Sequence, residues 1–118
     1  MPLPFRHPDL ELLVERLRST KNVLGVALFG SWARGTNRPD SDMDILVLVN
    51  TGVRRGVESL GKTNFEFVYV SPKEALSFYK ANPDNAVRMW RDAKIIFDSK
   101  GELNRLKAFA QRIEQQGT

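Results

Sequence analysis

The chain has no cysteine and a single histidine, His7, among its 118 residues. The first absence excludes disulfides, thiolate zinc sites and cysteine nucleophiles. The second excludes a histidine-rich metal centre, and it leaves a Ser-His-Asp triad only an N-terminal histidine, expected to be exposed and inert. No apolar run approaches the roughly 20 residues that span a bilayer, and the start, "MPLPFRHPDLE", lacks the apolar stretch of a signal peptide. A cytoplasmic location is therefore expected. Dense basic tracts are also missing: Arg54 and Arg55 adjoin, but the other bases are scattered, so direct nucleic-acid binding is not expected despite a net charge of +4. Chemistry is left to carboxylates, hydroxyls, arginines and lysines.

What is present reads as one domain over residues 1–118. Hydrophobic residues make up 42% and charged ones 27%, enough of each for a single core with a solvated surface. Leu10, Leu13, Val14 and Leu17 recur at helical spacing and predict a helix over residues 8–20. "NVLGVALFG" reads as a buried strand, "SWARG" as about one helical turn closed by Gly35, and "TNRPDS" as a loop. "DILVLVN" is a second buried strand, "TGVRRGVESLGKT" a long polar connection and "NFEFVYV" a third strand. Ser71-Pro72-Lys73-Glu74 carries a capping-box signature for a helix to about residue 81. Asn82-Pro83 opens a short helix through Trp90, "AKIIFD" is a fourth strand, and "SKGE" gives a second capping pattern before a last helix. Leu103, Leu106, Ala110 and Ile113 line one face of that helix. The order predicts an α/β (α+β) fold: a small mixed sheet of about four strands, the two apolar ones central, with the first and last helices packed on it.

Asp42 and Asp44 stand at the mouth of an otherwise apolar strand. Side chains two apart on a strand point the same way, about 7 Å apart along the backbone. Like charges so placed raise each other's pKa, and a divalent cation between them reverses the sign. Magnesium suits such a pair, being a hard ion that takes oxygen ligands and leaves room for water and phosphate. Glu66, between Phe65 and Phe67, is a third carboxylate in strand context, where glutamate is depleted. If its strand neighbours "DILVLVN", the three acids can share one cavity. Gly30-Ser31, at a strand-to-helix turn, offers backbone N–H groups and a hydroxyl to phosphate. Arg34, and Arg38 and Ser41 in the loop, are further nucleotide-contact candidates; Trp32 and Trp90 read as packing residues.

Gly30-Ser31, ten residues and then Asp42-x-Asp44 resemble the G-S-x10-D-x-D signature of the DNA polymerase beta-like nucleotidyltransferase superfamily. Arg34-Gly35 matches the variant of the short prokaryotic minimal nucleotidyltransferases found in HEPN/MNT pairs, although many members have aspartate where Glu66 stands. The resemblance implies two Mg²⁺ (or Mn²⁺) ions, with Asp42 and Asp44 bridging both and Glu66 holding the ion beside the attacking hydroxyl. Gly30 and Ser31 would hold the β- and γ-phosphates of ATP, and AMP would pass to a hydroxyl with release of pyrophosphate. About fifty residues follow Glu66, too few for the added substrate domain of larger relatives. The resemblance therefore implies a separate HEPN-type helical protein as acceptor in a toxin–antitoxin pair. A homo-oligomer, and a nucleotide-binding antitoxin that docks with little catalysis, remain alternatives.

Overall fold

A computed structural model describes residues 3–116. Along the chain run α1 (Pro8–Arg18), β1 (Val23–Phe29), α2 (Gly30–Arg34), β2 (Met43–Val49), β3 (Val53–Leu60), β4 (Thr63–Val70), α3 (Pro72–Ala81), α4 (Pro83–Asp92), β5 (Lys94–Asp98) and α5 (Glu102–Gln116). The strands form one sheet in the order β3-β4-β2-β1-β5. Only β2 and β4 run parallel; the other pairs are antiparallel.

The sheet is covered on both faces. Val26, Leu28, Met43, Ile45, Val47, Phe65 and Phe67 meet Leu10, Leu13, Val14 and Leu17 of α1 on one side. Ala27, Phe29, Leu46, Leu48 and Val70 meet α3, α4 and α5 on the other, through Ala75, Tyr79, Trp90, Leu103 and Leu106. Near-continuous apolar runs are what strands buried on both faces require. Gly25 makes room for α5: a Cβ there would stand 2.7 Å from Leu103 Cδ1.

Three expectations need correction. The stretch after β2 is not a connection but β3, an edge strand paired with β4 from Val53↔Val70 to Leu60↔Thr63, so the sheet has five strands. Its arginines, glycine and glutamate hide it from a search for apolar runs, because an edge strand needs little burial. The second concerns the start of α5, where Ser99 does not cap. Its hydroxyl donates to the Leu24 carbonyl, and the Asp98 carboxylate accepts from the Leu103 and Asn104 N–H groups instead.

The cap on α3 is as the sequence indicates, with Ser71 Oγ accepting from the Glu74 N–H and Pro72 opening the helix. Trp90 is buried, its indole N–H donating to the Tyr79 hydroxyl at 3.0 Å, and burial pushes the Tyr79 phenol up. The third concerns His7, which is not inert. It is half-buried and caps α1 through Nδ1, which accepts from the Leu10 N–H at 3.2 Å. Among the described residues no helix is long and apolar enough to cross a membrane.

Candidate active site

The parallel pairing of β2 with β4 sets Asp44 directly opposite Glu66. Residues so paired share a face of the sheet, with the strands about 4.8 Å apart. The face is that of Leu46 and Leu48, toward α3–α5, at an end of the sheet that the helices leave open. The Asp44 carboxyl therefore stands beside that of Glu66, and two carboxylates so placed resist double ionisation unless a proton or a cation lies between them. Partial burial pushes the Asp44 carboxyl up to about 6, and the contact with Glu66 and the charge of Asp42 add to the rise. Arg34, exposed on α2, opposes it with its positive charge.

On the other flank of Asp44 stands the end of β1. Phe29 pairs with Asp44, and Gly30 follows at φ +73°. A Cβ at Gly30 would lie 2.2 Å from Asp44 Oδ2, so glycine is required both by the backbone and by the carboxylate beside it. Ser31 is half-buried in the single turn of α2, and its hydroxyl has no hydrogen-bond partner among the described residues. Its carbonyl accepts from the Thr36 N–H at 3.0 Å, and Gly35 closes the turn in the left-handed region.

Asp42 precedes β2 by one residue and is exposed. With Glu66, Glu58, Ser59 and Asn64 it lines a recess of about 290 Å³. Glu66 also borders a cavity of about 550 Å³, walled by Asp44, Phe29, Leu46, Val68 and Met89 and, from β3, by Arg55, Gly56 and Val57. Arg55 carries no signal of this placement in the sequence, because its strand reads there as a polar connection.

The structure gives Ser41 a different setting from the carboxylates. Its hydroxyl accepts from the Arg38 N–H at 2.8 Å, and its carbonyl accepts from the Trp32 indole at 2.8 Å. Trp32 packs against Phe5 and, edge-on, His7, as a packing residue should. Ser41 thus shapes the loop that leads into Asp42, while the Arg38 side chain is exposed.

No three His, Cys, Asp or Glu side chains among the described residues stand close enough together to form a ready-made metal cage. The arrangement is instead a crowded pair, Asp44 and Glu66, with Asp42 adding its charge from the strand mouth. Such a donor set fits a hard divalent cation, since a cation would offset both the burial and the neighbouring carboxylates that raise Asp44, and phosphate or water oxygens would complete its shell.

The family model described as a nucleotidyltransferase domain matches residues 10–113, nearly the whole chain. No curated protein matches. Among solved structures, a nucleotidyltransferase-like protein from Exiguobacterium sibiricum 255-15 superposes with a TM-score of 0.66 at 16% identity, covering 88% of this chain. This chain spans only 38% of that protein's length. A toxin–antitoxin structure with AMP-PNP superposes with a TM-score of 0.55 at 16% identity, covering 90% of this chain and 86% of that one. The likenesses to solved structures show the fold, a mixed sheet with packed helices consistent with the polymerase beta-like nucleotidyltransferases. With the family model matched over residues 10–113, the chain belongs to the nucleotidyltransferase domain family.

Proposed function

We propose that this chain transfers AMP from ATP to a hydroxyl of a separate helical partner protein of the HEPN type, with divalent metal ions and release of pyrophosphate. The observation that carries the reading is the juxtaposition of Asp44 and Glu66 across β2 and β4, with Gly30 against Asp44. The acids and the phosphate-binding turn then lie side by side. Packing alone gives no reason to set two carboxylates opposite one another across paired strands.

Asp42 and Asp44 would bind both Mg²⁺ or Mn²⁺ ions, and Glu66 the ion on the acceptor side. Bound there, the ions supply charge neutralisation for the triphosphate and a lowered pKa for the acceptor hydroxyl. Gly30 and Ser31 hold the β- and γ-phosphates through backbone N–H groups and the free Ser31 hydroxyl. Arg34, whose charge already reaches Asp44, balances the phosphates from α2. Ser41 acts through the loop it shapes. The acceptor oxygen attacks the α-phosphorus and gives its proton to solvent water. The bond from the α-phosphorus to the bridging oxygen breaks, and pyrophosphate leaves.

The donor and the partner are supported by the toxin–antitoxin neighbour, which was solved with AMP-PNP. The test is to incubate the chain with its copurified partner, ATP and magnesium, then record intact masses. A partner heavier by one AMP, absent with Asp44→Asn, is the expected result. An unmodified partner that nevertheless binds tightly would show that docking, not transfer, is the activity.

A further inference from the structure

The two edges of the sheet are protected unequally. At one edge β5 has five residues, and its register against β1 is broken between Val26 and Ala27. Short length and an irregular register are among the devices that keep an edge from pairing with another chain. At the other edge β3 has eight residues and an unbroken register with β4. It contains no proline and no lysine, and its Val53 and Val57 are 64% and 79% exposed. An edge that long and regular, carrying exposed valines, is a template for another strand.

The order of charges along β3 selects the occupant. Arg54 and Glu58 lie two positions either side of Gly56, on the face of Tyr69. Antiparallel pairing of two copies centred on Gly56 brings each Arg54 opposite the other copy's Glu58. Opposite-charge pairs facing across strands stabilise, and like pairs destabilise. Glu58 already takes a two-pronged contact from Arg16, and a carboxylate has lone pairs left for a second guanidinium. On the other face Arg55 falls opposite Val57, where its aliphatic stem covers the exposed valine. Gly56 meets Gly56 at the axis, with no side chain between the strands.

We infer that β3 is a self-association edge, through which two copies of this chain pair antiparallel about Gly56 and join their sheets. The pairing has a consequence for the cavity. Val57 is the register partner of Glu66, so the second copy's Arg55 would stand one strand beyond Val57 and two from Glu66, on the same face. Each copy would then set a cation at the rim of the other's site. Edge pairing alone falls at the small end of specific interfaces, below about 1,200 Å², so the dimer is concentration-dependent.

The absence of cysteine makes a direct test available. In Gly56→Cys the new Cβ would lie 3.9 Å from the Tyr69 ring, an ordinary contact, and the two thiols would meet at the axis. Facing Cα atoms of an antiparallel pair lie about 4.5–5.5 Å apart, within disulfide range. Oxidation of this variant should give a covalent dimer. Ser59→Cys, whose counterpart is Val53, should stay monomeric under the same oxidant. Sedimentation equilibrium of the unaltered chain should show a monomer–dimer equilibrium, which Val57→Lys weakens by about tenfold or more. Circular dichroism and melting check that each variant is folded. If Gly56→Cys does not fold, the Val57→Lys comparison still decides. Cross-linking of Ser59→Cys as readily as Gly56→Cys, a chain that stays monomeric to roughly millimolar concentration, or an unchanged equilibrium in Val57→Lys each overturns the inference.

Discussion

Gly30 touches Asp44: a Cβ on the glycine would stand 2.2 Å from the aspartate's Oδ2. The turn that would receive phosphate and the acid that would bind metal are therefore one packed unit. Gly30→Ala should damage both. The left-handed backbone costs about 1–2 kcal/mol for a residue with a Cβ, and the Asp44 carboxylate must move away. Urea denaturation should show the loss of stability, and titration with magnesium and ATP should show weakened binding. Unchanged nucleotide affinity would separate the turn from the site.

Asp44 should give the protein an unusual dependence on pH. Its carboxyl is raised to about 6 from an ordinary 3.8, so between these pH values the folded chain holds a proton that the unfolded chain has released. Stability attributable to this group is therefore full below about pH 4 and is lost as pH rises through about 6. Melting temperatures in chelator, compared between the parent and Asp44→Asn, isolate it. The variant should be the more stable at pH 7, and its advantage should vanish on acidification. Parallel curves would mean the carboxylates do not strain the fold.

Neutralising the acids should abolish transfer without harming the fold. Asp42→Asn and Asp44→Asn each remove an anionic ligand at constant shape, and AMP transfer should fall by orders of magnitude. Glu66→Gln should lose activity similarly but keep more of its affinity for magnesium–ATP, since the ion it would hold serves the acceptor. Filter binding beside transfer assays distinguishes the two behaviours. Survival of transfer in all three variants would remove the carboxylates from the mechanism.

Tyr79→Phe tests the packing that carries α4. The substitution leaves the buried Trp90 indole N–H without its acceptor, which costs about 1–3 kcal/mol. Chemical denaturation should show that loss, with magnesium–ATP affinity falling by less, because the substitution removes only a hydroxyl and leaves the Trp90 ring edge-on against Phe29, the register partner of Asp44. A loss of nucleotide affinity equal to the loss of stability would mean that α4 governs the site as well as the fold.

Sequence patterns reveal elements whose residues are committed to burial on both sides. β1 and β2 are such runs, and the amphipathic spacing of α1 likewise follows from one buried stripe. That Asp44, Glu66 and Gly30 come together was legible because carboxylates in strands and a glycine at a strand-to-helix turn are residue types out of place there. β3 was not legible. Its side chains alternate between solvent and partial cover, and its ladder is supplied by β4, a partner that no local pattern announces. Losing β3 also hid Arg55, Gly56 and Val57 as walls of the cavity. The cap on α5 was misread for a related reason. Asp98 ends β5 and reaches over the intervening turn to the first amides of the helix, so the capping residue lies outside the four-residue signature.

The path of the chain between the two acids bears on how the protein assembles. After β2 the backbone passes outward to form β3, then turns at Gly61-Lys62 and returns as β4, which lies between β2 and β3. The β3–β4 hairpin is local and can close on its own, within microseconds for such a unit. Its insertion beside β2 is non-local, and only that step brings Glu66 up to Asp44. The electrostatic conflict at the site is thus absent from the early hairpin and is met when the sheet is completed. Acid, or a divalent ion, should accordingly act on the rate at which the finished sheet comes apart more than on the rate at which the hairpin forms.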